Sequence, residues 1–314
     1  MDRDLPEIIR CPTERMAEAL SLVLRDLAPS QRRIFAGHLL AGTKQTKSSD
    51  EALFIALRRG EICGAAWGQR QPGNVATFWP PQLATGENQQ VALRLAEAVT
   101  EQLDATAVAM TQVLLTAADD SAVTMLTAVG FRYLAELLYL SCEAARFPHH
   151  APSTELEFEP YREDLLSRVM RLTEQTYEDT LDCAALGGMR TMEDVLTGYR
   201  ATGVFRPENW FIVRALGIDV GVLLLADHSQ ARHYELMYMG LVPRARGRGW
   251  GRKIAEYAQW RACCAGADRI VLAADAINTP AVRAYRAVGF EQFDRRTVYV
   301  RACGEKGKLT SARD

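Results

Sequence analysis

Internal repetition constrains this chain more than any other property. Phe54-Ile55, Gly60 and Gly64 return as Phe211-Ile212, Gly217 and Gly221, each 157 positions later. Ala122-Val123 and Ala128-Val129-Gly130-Phe131 return as Ala281-Val282 and Ala287-Val288-Gly289-Phe290, each 159 positions later. Two blocks in the same order at nearly the same offset predict one fold built twice. The 314 residues then divide into two domains of ordinary size. The boundary falls at Phe147-Pro148-His149-His150-Ala151-Pro152-Ser153, which has two prolines and no apolar period. The expected division is a first copy over 1–146, a linker over 147–154, a second copy over 155–302 and a polar tail over 303–314. His149 and His150 have no acidic or cysteine partner nearby in sequence and read as linker residues.

The second copy carries a clear element pattern. Leu156 to Tyr161 alternates like a strand, and Leu166, Val169, Met170 and Thr173 have helical spacing. A second helix is predicted over 191–201. Trp210–Arg214 and Val220–Ala226 are apolar runs about a Gly217 turn, a hairpin pattern. His233–Val242 is a further strand. A helix over 251–264 places Ile254, Ala258 and Ala262 on one face. A short strand at 269–273 follows. Asn278-Thr279-Pro280 opens another helix, which Gly289 ends before a last strand. The predicted order is β-α-α-β-β-β-α-β-α-β.

Between the fourth strand and the next helix lies Arg244-Ala245-Arg246-Gly247-Arg248-Gly249-Trp250-Gly251-Arg252-Lys253. Glycines at alternate positions let a backbone approach a ligand and adopt positive φ. Amides at a helix N-terminus attract anions, and the basic side chains add compensating charge. This is the chemistry that a pyrophosphate needs. A solvated basic turn or an RNA-contacting loop has a similar composition.

Arg246-x-x-Gly249-x-Gly251 resembles motif A of the GNAT acetyltransferases. Asn278 through Phe290, with Tyr285 seven residues after Asn278 and then Gly289-Phe290, resembles their motif B. The resemblance covers about 155–302 and implies a mixed α+β fold: two tandem GNAT-like domains, each a mostly antiparallel mixed sheet flanked by helices. It implies acetyl-coenzyme A as cosubstrate, without a metal. The backbone from Arg246 through Gly247, Arg248, Gly249, Trp250 and Gly251 to Arg252 is expected to hold the pyrophosphate. Leu241 and Val242 are expected to contact the pantetheine arm as an added strand does, with Asn278 bonding the same arm or a water. Tyr285 stands where the family keeps the general acid for the departing thiolate; as a residue it also fits an aromatic core position. Glu235 stands where some members keep a general base, and equally fits a solvent-facing strand position.

The first copy lacks these features. Residues 87–94, opposite the glycine loop, read Glu-Asn-Gln-Gln-Val-Ala-Leu-Arg, without glycine. Leu126 replaces the tyrosine and Asp119 the asparagine. The first copy is therefore expected to be degenerate, with no cofactor site, as one half of a tandem GNAT protein. In the second copy, Glu174, Glu178, Asp179 and Asp182 follow the first helix. The resemblance makes this an acceptor wall, and Glu178 and Asp182 are candidate contacts for a cationic amine. The same stretch also fits a solvated helix end.

The expected function is acetyl transfer to the amine of a small molecule or peptide. The alternative is a non-catalytic acyl-coenzyme A-binding regulatory module, which the presence of Tyr285 and Glu235 disfavours. A net charge of −2 and a loop without interleaved aromatic residues speak against nucleic acid as a partner. No run approaches ~18 apolar residues, so no membrane span is expected. Met1 to Leu5 has no apolar signal core. Seven cysteines, an odd number without a C-x-x-C pair, read as free thiols of a reducing compartment. Together these predict a cytoplasmic protein.

Overall fold

The computed structural model describes residues 5–27, 52–116, 120–153 and 155–304. Asp119 and the end of the predicted tail lie outside the described residues. The chain forms two compact units, one of residues 1–133 with 298–314 and one of residues 134–297.

In the first unit, β1 (Glu7–Arg10), α1 (Met16–Val23), β2 (Ala52–Arg58), β3 (Glu61–Gln71), β4 (Val75–Leu83), α2 (Gln89–Asp104), β5 (Met110–Leu115) and α3 (Asp120–Ala128) follow in order. Strand β6 (Arg132–Glu143) leads into the second unit. There the elements are β7 (Leu156–Pro160), α4 (Leu166–Tyr177), α5 (Met192–Arg200), β8 (Trp210–Ala215), β9 (Ile218–His228), β10 (His233–Leu241), α6 (Trp250–Cys264), β11 (Arg269–Asp275), α7 (Thr279–Ala287) and β12 (Glu291–Ala302). The second copy thus has the order that its sequence pattern predicts.

The sheet order is β1-β2-β3-β4-β5 in the first unit and β6-β11-β10-β9-β8-β7 in the second. The β4–β5 and β10–β11 pairs are parallel. The pairs β1–β2, β2–β3, β3–β4, β6–β11, β7–β8, β8–β9 and β9–β10 are antiparallel. In β8 and β9, consecutive residues from Trp210 to Val213 and from Val220 to Ala226 are almost all buried, which accounts for their unbroken apolar runs. Helix α4 buries Val169, Leu172, Thr173 and Thr176 on one face, and α6 buries Ile254, Ala255, Ala258 and Ala262.

The repeated glycines have a common cause. Arg59-Gly60 and Leu216-Gly217 both have positive φ at two consecutive residues, as a two-residue hairpin turn demands. Gly130 and Gly289 have φ of +86° and +90° just beyond α3 and α7, where a left-handed residue ends a helix.

The compact units differ from the halves drawn on sequence, and strand pairing is the reason. Leu137 to Glu143 pairs with Asp275 to Arg269, so the last strand of the first copy lies in the second unit. Phe147, expected to open the linker, is 3% exposed in that unit's core. Conversely, Arg301 of β12 pairs with Asp104 at 2.8 Å, and Cys303 N donates to Ala109 O at 3.0 Å. Cys303 is buried in the first unit, so the polar tail begins beyond it.

Candidate active site

Strands β10 and β11 run parallel for three residue pairs, His233–Arg269, Tyr234–Ile270 and Glu235–Val271. Beyond Glu235 they part. A bulge lies between Leu236 and Tyr238, and from there to Leu241 the paired neighbour of β10 is β9. Strand β11 continues to Asp275 against β6. The bulge bends β10 away and leaves one of its edges without a strand partner. A cavity of about 640 Å³ occupies the gap. Its walls include Leu236 to Leu241 of β10, Ala273 and Ala274 of β11, the glycine loop, α7, and Thr176 with Asp179 to Asp182 after α4.

At the glycine-loop wall, Gly247 and Gly249 both have φ +76°, and a Cβ at either would meet nothing within 4 Å. Backbone conformation, rather than crowding, calls for glycine here. Gly249 is the N-cap of α6 and has no side chain to occupy the amides of the first turn. The helix starts at Trp250, within the run Arg246-x-x-Gly249-x-Gly251. Arg246 does not aim at the loop's own amides. Its guanidinium donates to the carbonyls of Leu241 at 3.0 Å, Thr176 at 3.0 Å, Glu178 at 2.7 Å and Asp179 at 3.0 Å. It therefore satisfies carbonyls at the end of α4, which no helical amide can reach, and ties that end to the loop.

On α7, the Asn278 side chain accepts from Ala281 N at 3.3 Å and caps the helix. Asn278, Ala281 and Tyr285 share one face, and all three line the cavity. Tyr285 is 6% exposed, rests on Phe290, and its hydroxyl has no hydrogen-bond partner among the described residues. Burial and then the nearby Asp182 push its phenol above the usual tyrosine range. Asp182 Oδ1 accepts from Asp275 N at 3.1 Å, and Asp275 Oδ2 accepts from Cys183 N at 3.1 Å. Burial raises the Asp182 carboxyl, and the charge of Asp275 raises it further.

Residues 173–290 match the family model described as the Acetyltransferase (GNAT) family. Over these residues, rather more than a third of its length, the chain is similar to the GNAT acetyltransferases. A mycothiol acetyltransferase of Streptomyces bingchenggensis is 32% identical over 95 residues, 30% of this chain and 31% of that protein. One of Thermobispora bispora is 30% identical over 119 residues, 36% of this chain and 40% of that protein. The matched stretch thus spans well under half the length of these curated relatives. A GCN5-related N-acetyltransferase from Sphaerobacter thermophilus has the same fold, at TM-score 0.62, 18% identity, and coverage of 95% of this chain and 97% of that one. A tandem GNAT protein from the clavulanic acid biosynthesis pathway matches at TM-score 0.53 and 12% identity, over 94% of this chain and 98% of that one. The doubled GNAT fold is therefore shared along nearly the whole chain.

Of the residues that GNAT resemblance singled out, Leu241, Arg246, Gly247, Gly249, Gly251, Arg252, Asn278, Tyr285 and Asp182 line the cavity. Five stand off it. Val242 is 1% exposed, and its amide donates to Val220 O. Trp250 turns its indole N–H to Glu155 at 2.6 Å, and Arg248 lies over the same ring at 5.2 Å. The Glu178 side chain is exposed; only its carbonyl joins the Arg246 clamp. Glu235 is half-buried, and its carboxylate pairs with His228 Nε2 at 2.9 Å. The sequence reading missed Met237, Tyr238, Met239 and Arg283, which line the cavity. Arg283 falls five residues after Asn278 in the motif B segment, a signal that could have found it. The bulge that turns Met237 and Tyr238 inward left no sequence signal. Among the described residues, no group of side chains could hold a metal, and no helix is long and apolar enough to cross a membrane.

Proposed function

We propose that the second copy transfers acetyl from acetyl-coenzyme A to the amine of a small molecule or peptide. One observation carries this reading: the parted β10–β11 edge opens into a cavity with the glycine loop and the unpartnered Tyr285 hydroxyl on its walls. The loop amides receive the pyrophosphate, and the free edge of β10 receives the pantetheine amides as a strand would. The names of the mycothiol acetyltransferase relatives support acetyl as the group moved.

Attack on the thioester needs a neutral amine, whereas a lysine-type amine has a reference pKa of ~10.4. Glu235, the base that the resemblance suggests, stands outside the cavity lining and pairs with His228, so the amine gives its proton to a carboxylate on the cavity wall. A backbone N–H of β10 near Leu241 stabilises the oxyanion. Tyr285 donates its proton to the departing thiolate. Its raised pKa keeps the phenol protonated at neutral pH, and the thiolate's own reference value of ~8.5 makes it a tolerable leaving group. The first unit serves as scaffold.

The test is coenzyme A release from acetyl-coenzyme A across a panel of amines: an amino sugar, a diamine and a lysine-containing peptide. Acetyl-coenzyme A at 100 times its Kd should also stabilise the chain by about 2.7 kcal/mol. Binding without turnover on any amine would replace the reading with a non-catalytic acyl-coenzyme A-binding module.

A further inference from the structure

Asp182 reaches the cavity from the segment after α4. Two reciprocal bonds fix it there: its own to Asp275 N, and that of Asp275 to Cys183 N. Asp275, 2% exposed, also accepts from Ile277 N at 3.1 Å, so its carboxylate is committed to backbone amides. The Asp182 carboxyl is different. Among the described residues its carboxyl accepts one hydrogen bond, at Oδ1, and Asp182 lines the cavity. It lines the same cavity as Tyr285, the buried residue whose hydroxyl has no hydrogen-bond partner among the described residues. Glu235 offers no such arrangement, since it is absent from the lining and paired with His228.

We infer that Asp182 binds the ammonium group of the acceptor and takes its first proton. The inference rests on the proposed acetyl transfer and names the acceptor class as a primary amine that arrives as a cation. In the step, an N–H bond of the ammonium breaks and the proton passes to Asp182, leaving a neutral amine. The amine nitrogen forms a C–N bond to the acetyl carbonyl. The C–S bond then breaks, and the thiolate takes the phenol proton of Tyr285. The second nitrogen proton restores the phenol, and the proton on Asp182 leaves to solvent.

The surroundings suit this task. Asp275, Cys183, Tyr177, Tyr199, Tyr238 and Tyr285 are the titrating groups that interact with Asp182. The cations on the cavity wall are Arg246, Arg252 and Arg283, and the other carboxylate is Asp179. Arg246 is committed to four carbonyls. A carboxyl whose neutral form is favoured is a stronger base once ionised. Its ionisation sets an acidic limb in the rate, above the pH of an ordinary aspartate.

The experiment compares the full chain with Asp182→Asn and Asp182→Glu, using acetyl-coenzyme A and the best amine of the panel over a pH series. Asparagine keeps the acceptor oxygen for Asp275 N, so the fold and acetyl-coenzyme A affinity should survive; a melting curve and calorimetry check both. The expected result for Asp182→Asn is an acceptor KM raised ~10-fold or more, kcat lowered ~10²-fold and the acidic limb lost. Asp182→Glu should restore part of the rate and a limb. Wild-type kinetics and an unmoved limb in Asp182→Asn would overturn the inference alone. A wild-type chain that binds acetyl-coenzyme A yet acetylates no amine would overturn the proposed function, and this inference with it.

Discussion

Tyr285 joins burial to an unused hydroxyl, and a single atom tests its role. Tyr285→Phe keeps the packing on Phe290 and removes only the proton donor. Turnover should fall ~10²-fold, the low end for a general acid, while acetyl-coenzyme A affinity holds, as single-turnover and binding measurements will show. Equal rates would make the tyrosine a packing residue. Gly249→Glu should abolish acetyl-coenzyme A binding by calorimetry. It places a carboxylate at the N-cap of α6 and strains a residue held at φ +76°. These positions were legible in the sequence because their causes are local: a positive φ, a helix start, a seven-residue spacing on one face. The work of Arg246 was not. Its carbonyl partners at Thr176, Glu178 and Asp179 lie 67 to 70 positions away, and only the folded backbone brings them together.

The elements follow the same division. The order of strands and helices in the second copy could be read from period and turn residues, because each element buries one face or two against a core. The parting of β10 from β11 could not, since a bulge depends on register between strands and not on the composition of one. The fit of that bulge explains Gly240. A Cβ there would stand 2.6 Å from both Thr176 Oγ1 and the Tyr238 hydroxyl, which bond each other at 2.7 Å. Gly240→Ala should therefore cost about 1–3 kcal/mol of stability in denaturant titration and push α4 from β10. Arg246→Lys should loosen the same contact, because one ammonium cannot reach carbonyls that a planar fork bonds together. Its expected signature is a raised KM for the amine with acetyl-coenzyme A affinity less affected.

In the molecule as a whole, the two copies are alike in fold and unlike at the glycine loop, the position proposed for the cofactor. In the first, the amide of Val91 at the start of α2 is taken by the Asn88 side chain, and Glu87 pairs with Arg58. Leu126 is fully buried where the second copy has Tyr285. Acetyl-coenzyme A should therefore bind once per chain; calorimetry giving two equivalents would refute the assignment. The repeat itself was evident from Gly60 and Gly217, but the allocation of the closing strands was not, because two copies of one strand pattern do not say which sheet each joins. Arg301 shows what that allocation does. Arg301→Ala, which removes the guanidinium bonded to Asp104, should destabilise the first unit by about 1.5–3 kcal/mol, and hydrogen exchange should report the loss in α2 and β5. Translation adds a temporal side. The ribosome completes Tyr133 long before it reaches Val298, and residues of both belong to the first unit. At roughly 5–20 residues per second, the early half waits on the order of ten to thirty seconds for its last strand. Nascent chains stalled before Val298 should thus be cut by protease in a half whose own code has already been read.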